Sequence, residues 1–259
     1  MTTPLFFGEA SRQLFGVYHA PGTSTASGQA VLLCPAGPQE YMLPHWAQRR
    51  LAAMLAKQGL HVLRFDYFGT GDSAGSIDEG RLEVWQKDIR TAEEKLRELS
   101  GAARTSLVGY RLGATLAWRA SLEMDPRPRH LVLWDPVVRG STYLHELRLA
   151  ETTFASQLLY FPPLEEPPTE LFGYPIPEAQ RVSTQAIDLL HEPLPAATRV
   201  HLYVGRSSSE ASALSSRLAE QLKRFTFECV PEEGKGGSGN LLSKRVLDTI
   251  RLALSAEVG

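Results

Sequence analysis

The residue with the greatest consequence for chemistry in this chain is Arg111, at the centre of residues 109–113, Gly-Tyr-Arg-Leu-Gly. The glycine spacing is that of a Gly-x-Ser-x-Gly nucleophile elbow, a sharp turn from a strand into a helix that exposes the central side chain above a sheet. The glycines are needed because strand and helix approach each other closely there. Arginine at the centre keeps the frame of the turn and removes the serine nucleophile.

Arg111 has two physical interpretations. A planar guanidinium donates two parallel hydrogen bonds to a carboxylate or a phosphate, so Arg111 is a candidate for recognition of an anionic group. Alternatively, Glu40, in the loop that follows an apolar run, approaches Arg111 and forms an internal ion pair without any ligand, since a buried charge needs a partner. Both interpretations remain open from the sequence.

The elements that position this turn alternate between strands and helices. Short apolar runs predict the strands, and apolar residues at intervals of three and four, as in residues 82–99, predict the helices. The predicted strands are 14–19, 30–34, 61–65, 106–108, 131–134, 200–204 and 225–230, and the predicted helices are 44–57, 82–99, 112–118, 143–160 and 178–190. The alternation predicts a mostly parallel sheet with helices on both faces.

Residues 136–198 interrupt the alternation with a segment much longer than an ordinary connection between a strand and a helix. We interpret this segment as a cap inserted into a single domain that spans residues 1–259. Its aromatic and apolar residues favour either the core of the cap or the wall of an acyl or lipid pocket.

Composition restricts the classes of partner. The chain has 259 residues and a formal net charge of -2, which does not support bulk attraction to nucleic acid or to an anionic membrane. Only Cys34 and Cys229 are present, without metal-ligand spacing. Because no apolar run approaches the length of a membrane span and no dinucleotide or phosphate-binding motif occurs, we expect a cytoplasmic protein with no metal and no cofactor.

Four landmarks in this order resemble the α/β-hydrolase superfamily. They are the loop 35–38 (Pro-Ala-Gly-Pro), the turn 66–73, the elbow 109–113 and the late strand that ends at Gly205. The resemblance implies an α/β-hydrolase fold. More narrowly, residues 109–114, 134–140 and 172–174 resemble the hydrolase-like proteins that accompany exosortase systems in bacteria, a group in which arginine at the elbow is usual.

The resemblance implies a Ser-His-Asp triad, but this sequence has none of its members at the expected positions. Arg111 replaces the serine. The acid is expected in a Gly-x-x-Asp pattern, where residues 205–208 read Gly-Arg-Ser-Ser, with Glu210 the nearest carboxylate. The histidine is expected after the last strand, where Lys235 occurs instead. A serine hydrolase needs all three functions, so we expect no conventional serine-hydrolase mechanism.

The remaining candidates surround the elbow. Lys235 is either a second cation of the site or a solvated loop residue, and His45 is either an acid/base group or a residue that caps a helix. The resemblance places the substrate beside the loop 35–38 and the elbow, so the predicted substrate-binding residues are Ala36, Gly37, Tyr110, Leu112 and His45.

Two functions follow from these observations. In the first, the protein acts on an anionic acyl, lipid or carrier-linked small molecule by acid/base or electrostatic chemistry, with Arg111, Glu40 and Lys235 as the catalytic residues. In the second, it is a non-catalytic ligand-binding or scaffold protein, a pseudo-hydrolase in a biosynthesis or export pathway. A fold by itself does not distinguish the two, and the sequence leaves the oligomeric state open.

The missing triad predicts that the purified protein does not react with a fluorophosphonate probe and does not hydrolyse a short acyl ester, because no activated serine is present. Gel-based labelling and an esterase assay check this, each beside an Arg111→Ser variant. Labelling or turnover by the unmodified chain would show that a nucleophile exists elsewhere.

Overall fold

The computed structural model describes residues 2–22, 28–40, 42–157, 169–196, 198–231 and 244–255. Its strands are β1 (Thr2–Phe7), β2 (Leu14–His19), β3 (Ala30–Cys34), β4 (His61–Phe65), β5 (Thr105–Tyr110), β6 (His130–Trp134), β7 (Glu170–Leu171), β8 (Tyr174–Pro175), β9 (Arg199–Val204) and β10 (Phe225–Cys229). Its α-helices are α1 (Met42–Lys57), α2 (Leu82–Ser100), α3 (Leu112–Ser121), α4 (Gly140–Ala155), α5 (Glu178–Gln185), α6 (Ser209–Gln221) and α7 (Lys244–Ser255).

The main sheet has eight strands in the order β1-β2-β4-β3-β5-β6-β9-β10. Strands β4, β3, β5, β6, β9 and β10 are parallel, whereas β1 and β2 form an antiparallel edge. The predicted mostly parallel sheet is therefore confirmed. Its consequence for function is geometric, because the loops after β3, β5, β6 and β9 all emerge at the carboxyl edge, where such sheets bind ligands.

Helices cover both faces of the sheet. On one face, buried residues of α1 and α7, such as Leu51, Leu55 and Ile250, pack against side chains of β3, β5, β6 and β9. On the other face, α2, α3 and α6 bury residues that include Trp85 and Trp118. Strands buried on both faces are nearly continuous apolar runs, and this explains why β3 and β6 were recognisable in the sequence.

The structure corrects several predicted boundaries. The predicted first strand, 14–19, is the second one, because Thr2–Phe7 pairs with it at the edge of the sheet. The sequence shows no signal for β1, since most of that strand is exposed. Between β6 and β9, helix α4 ends at Ala155, and α5 ends at Gln185. The Asp188 side chain accepts the N–H of Leu190 at 3.0 Å and forms a turn where the helical pattern was expected to continue.

Residues 158–168, the proline-rich middle of the predicted cap, lie outside the described residues. Within the described ranges, the longest helices are too short or too polar to cross a membrane.

A buried carboxylate joins the antiparallel edge to the helix layer. Asp88 of α2 is 3% exposed and accepts hydrogen bonds from Arg12 Nη2 at 2.7 Å and from the Phe68 N–H at 2.9 Å. The Arg12 guanidinium lies 4.5 Å from the centre of the Phe68 ring. Burial raises the pKa of Asp88 to about 6, although the Phe68 hydrogen bond and Arg12 act in the opposite direction. The folded state therefore binds this proton more tightly than the unfolded chain does.

This raised pKa predicts that Asp88 stabilises the fold less as the pH increases. Below about pH 4 the group is protonated in both states, and its stabilising effect is lost as the pH rises through about 6. The free energy of unfolding of the unmodified protein, minus that of Asp88→Asn, should fall as the pH rises from 4 to 6. The steepest fall that one group can give is about 1.4 kcal/mol per pH unit.

Urea denaturation at several pH values measures this difference. Glu220→Gln, a change at an exposed residue of α6, is the control and should give a difference that does not vary with pH. A flat or rising difference for Asp88→Asn would contradict the prediction.

Candidate functional site

The turn at Arg111 has the geometry of an elbow. Strand β5 ends at Tyr110 and α3 begins at Leu112, and between them Arg111 has φ 50° and ψ -123°. This positive φ is unusual for a residue with a side chain and costs on the order of 1–3 kcal/mol. A Cβ atom at Gly113 would lie 2.0 Å from the carbonyl oxygen of Pro35, so only glycine permits this close approach. The expected turn from strand to helix is confirmed.

Two carboxylates hold the guanidinium of Arg111. Its Nε donates to Glu40 Oε1 at 3.0 Å, and its Nη2 donates to Glu146 Oε2 at 2.7 Å. The hydroxyl of Tyr143 donates to the second oxygen of Glu40 at 2.8 Å, and the Tyr143 ring centre lies 5.3 Å from Arg111 Cζ. Glu146 and Tyr143 both belong to α4, so two adjacent links connect this helix to the elbow.

Charge and burial make this arrangement stable. Burial lowers the pKa of Arg111, but Glu40 and Glu146 outweigh that effect and raise its pKa above the ordinary value. Burial, followed by the charge of Glu40, raises the pKa of Tyr143 well above its ordinary range. Arg111 is therefore a permanent cation and Tyr143 a permanent hydrogen-bond donor. The internal ion pair that the sequence left as an alternative is present.

A cleft of about 670 Å³ opens beside this cluster at the carboxyl edge of the sheet. Its charged lining residues are Arg111, Arg139, Arg206, Glu40, Asp135, Glu146 and Glu210, and apolar residues such as Val138, Val204 and Ala211 line the rest. Cations and carboxylates nearly balance in number. The cleft therefore combines an apolar wall with separate positive and negative groups.

The loop after β9, where a triad acid is expected, has a different role here. Arg206 is exposed, lines the cleft and forms no ion pair with any residue that the structure describes. Ser208 caps α6 by accepting the N–H of Ala211 at 3.0 Å, and Glu210 accepts the Thr142 hydroxyl at 2.6 Å. Asp135 has φ 44° and accepts the Gly205 N–H at 2.8 Å, which fixes the loop after β6 against this one.

The structure brings some of the sequence-predicted residues together and separates others. Arg111, Glu40 and Tyr110 line the cleft. Gly37 lies close to the elbow, because a Cβ atom there would be 3.1 Å from Leu112 and 3.4 Å from the Tyr143 hydroxyl. Leu112 begins α3 and is buried.

Gly37 and Leu112 are not among the residues that line the cleft, two more of the predicted residues line a different cavity, and one lies outside the described residues. Ala36 and His45 line a separate cavity of about 70 Å³ with Arg64 and Asp66, so they do not share the cleft with Arg111. Burial, with a smaller contribution from Arg64, lowers the pKa of His45. Lys235 lies in residues 232–243, outside the described residues.

The sequence does not indicate Glu146 or Arg206 as functional residues, and it places Tyr143 only among the aromatic residues that form either the core of the cap or the wall of a pocket. Tyr143 and Glu146 are three positions apart, the spacing that places side chains on one helix face, but nothing in that pattern indicates which face meets the elbow. Arg206 directly follows Gly205 at the carboxyl end of β9. Because ligands bind at that edge of a parallel sheet, this position could have indicated Arg206 as a binding residue.

The described cleft offers few groups for covalent chemistry. Its lining contains no histidine or cysteine among the described residues. Burial raises the pKa of the Cys34 thiol, which lies inside the sheet. In the described ranges no cluster of His, Cys, Asp and Glu has the arrangement to hold a metal ion.

Comparison with protein families identifies one matching model. Residues 41–188 match the family described as serine aminopeptidase, S33. Two uncharacterized proteins of Mycobacterium tuberculosis, from strains CDC 1551 / Oshkosh and ATCC 25618 / H37Rv, are each 36% identical over 123 residues, which cover 47% of this chain and 41% of theirs. The match thus spans about two fifths of the length of these relatives.

Solved structures with similar folds cover nearly the whole chain. A putative hydrolase from Agrobacterium vitis S4 superposes with a TM-score of 0.65 at 20% identity and covers 100% of this chain and 99% of its own. An esterase of Pyrococcus furiosus has a TM-score of 0.68 at 16% identity and covers 100% of this chain and 92% of its own. At these identities the similarity concerns the fold.

The two carboxylates around Arg111 should contribute unequally to stability. Glu40→Gln leaves a largely buried guanidinium without its main counter-charge and should lower the free energy of unfolding by about 2 kcal/mol or more. The Glu146 side chain is 53% exposed, so Glu146→Gln should cost less than about 1 kcal/mol. Urea denaturation of both variants at neutral pH measures the difference, and equal costs would contradict this assignment.

Proposed function

Because the chain belongs to the serine aminopeptidase S33 family of α/β hydrolases but has Arg111 at the centre of its elbow, we propose that it binds an anionic acyl, lipid or carrier-linked small molecule without serine-hydrolase chemistry. The ligand occupies the cleft beside Arg111. Its anionic group interacts with the cations of the cleft, and its body lies against the apolar wall.

The observation that carries this proposal is the position of the guanidinium. In a nucleophile elbow the central side chain meets the reacting part of the substrate, so an arginine there faces the same region of the cleft. Arg111 lines the cleft, and its side chain retains 21% exposure despite two ion pairs. A charged group of fixed geometry at this point recognises a carboxylate or phosphate rather than attacking a carbonyl.

A second cation supports an anionic ligand. Arg206 lines the same cleft from the loop after β9 and has no counter-charge among the described residues. An exposed guanidinium that has no counter-charge in the described part of the chain, at the carboxyl edge of a parallel sheet, attracts anions to the cleft. The apolar wall formed by residues such as Val138 and Val204 favours a ligand with an apolar body.

Binding without catalysis has more support than acid/base catalysis by Arg111, Glu40 and Lys235. Both carboxylate oxygens of Glu40 already accept hydrogen bonds, from Arg111 and from Tyr143, so this carboxylate is engaged in holding the elbow and α4 together. A general base must reach the proton that it removes. Lys235 lies outside the residues that the structure describes, so it does not add support for acid/base catalysis.

The narrower resemblance suggests a biological setting. Hydrolase-like proteins that accompany bacterial exosortase systems share the arginine-centred elbow, which favours a carrier-linked intermediate of a surface-polysaccharide or export pathway as the ligand. The same proposal includes the cytoplasmic location expected from the sequence. The alternative, for a cleft that binds no ligand, is a scaffold protein in such a pathway.

Isothermal titration calorimetry with hexyl phosphate, hexanoate and uncharged hexanamide tests the proposal. The anions should bind more tightly than hexanamide, and Arg206→Ala should weaken anion binding by about threefold to tenfold, equivalent to 0.6–1.4 kcal/mol. Arg224→Ala, at an exposed residue outside the cleft, is the control and should have no effect. Equal binding of all three probes, or no binding of any, would contradict an anionic ligand.

A further inference from the structure

The two carboxylates that hold Arg111 differ in how firmly they are held. Glu40 is 17% exposed and uses both oxygens, one for Arg111 and one for Tyr143. Glu146 is 53% exposed and uses only Oε2 in the described structure. Glu40 is therefore a fixed part of the elbow, whereas Glu146 reaches the guanidinium from solvent at the mouth of the cleft.

Displacing Glu146 is inexpensive. An ion pair with a half-exposed partner contributes at most about 1 kcal/mol, because water solvates the released carboxylate. Displacing Glu40 would leave its own largely buried carboxylate without the counter-charge of Arg111 and would break the Tyr143 hydrogen bond as well. A competing anion that enters the cleft therefore exchanges with Glu146 and leaves Glu40 in place.

The geometry of the guanidinium fits this exchange. Nε donates to Glu40, so the donors that Glu40 does not use are those of the outer edge, formed by Nη1 and Nη2. Among the described residues, Glu146 at Nη2 is the only group that hydrogen-bonds to this edge. Two parallel donors on one planar edge match the two oxygens of a carboxylate or phosphate.

We propose that Glu146 is an internal substitute for the ligand's anionic group and determines which ligands the cleft accepts. A carboxylate or phosphate displaces Glu146 from Nη2 and takes its place on Arg111, while an uncharged ligand leaves the ion pair intact. The inference rests on the proposed function, because it requires an anion to bind in this cleft. It adds a specificity-determining residue on α4, which packs over the elbow through Tyr143.

The exchange has a consequence for ligand selection. Because Glu146 competes for Arg111, a ligand binds only if its own anionic group interacts with the guanidinium more favourably than Glu146 does. A phosphate, with more negative charge and more oxygens than a carboxylate, is favoured over a carboxylate of the same chain length. Removal of Glu146 should therefore increase affinity for both anions and leave the affinity for an uncharged analogue unchanged.

Calorimetric titration of hexyl phosphate, hexanoate and hexanamide into the Glu146→Gln variant tests the inference. We expect about threefold to fivefold tighter binding of both anions than in the unmodified protein, the most that loss of an ion pair of about 1 kcal/mol allows, and no change for hexanamide. Glu210→Gln is the matched control, because Glu210 also lines the cleft but bonds to Thr142 instead of Arg111. For the two anions, Glu210→Gln should increase the binding free energy by less than half as much as Glu146→Gln does.

A double variant separates displacement from a general change of charge. Arg111→Lys keeps a cation but loses the planar edge. The increase in anion affinity caused by Glu146→Gln should therefore be mostly absent when it is measured between Arg111→Lys and the double variant that combines both changes. If the unmodified protein binds the anions and Glu146→Gln binds them no more tightly, the inference is overturned and the proposed function stands. If Glu210→Gln gives the full gain, or the double variant keeps it, the inference is also overturned. If no protein binds an anion, the proposed function itself fails.

Discussion

The ion pair between Arg111 and Glu40 is the constraint on which the rest of the site depends. The elbow holds Arg111 in a positive-φ conformation above the sheet, and a guanidinium at this position is too buried to remain without a counter-charge. Glu40, from the loop after β3, supplies that charge at 3.0 Å. The loop and the elbow are thereby joined across neighbouring strands, and the wall of the cleft is fixed before any ligand enters.

Helix α4 is positioned by the same charge cluster. Tyr143 binds the second oxygen of Glu40, and Glu146 binds the outer edge of Arg111. One link is buried, and burial raises the pKa of Tyr143 well above its ordinary value, so the hydroxyl keeps its proton; the other link is half exposed. This asymmetry permits a ligand to reach Arg111 without dismantling the contact that holds the helix over the elbow.

The frame of the elbow is compatible with an arginine at its centre for a physical reason. The close approach of Gly113 to the Pro35 carbonyl and the positive φ at the elbow depend on backbone geometry, not on the central side chain. The same turn therefore accommodates an arginine when a carboxylate is placed beside it. The solved structures that superpose on this chain share its overall fold at 20% identity or less, and fold alone does not determine which group performs the function.

The sequence by itself determined the parallel sheet and the elbow with an arginine at its centre, because continuous apolar runs and closely spaced glycines are local signals. It also identified Glu40 as a possible partner of Arg111, although not whether the pair forms. The edge strand β1 gave no signal, since its residues are mostly exposed. Only the tertiary structure brought Tyr143, Glu146 and Arg206 to the cleft and separated His45 from it, because the faces that distant helices and loops present to each other depend on packing across the whole sheet.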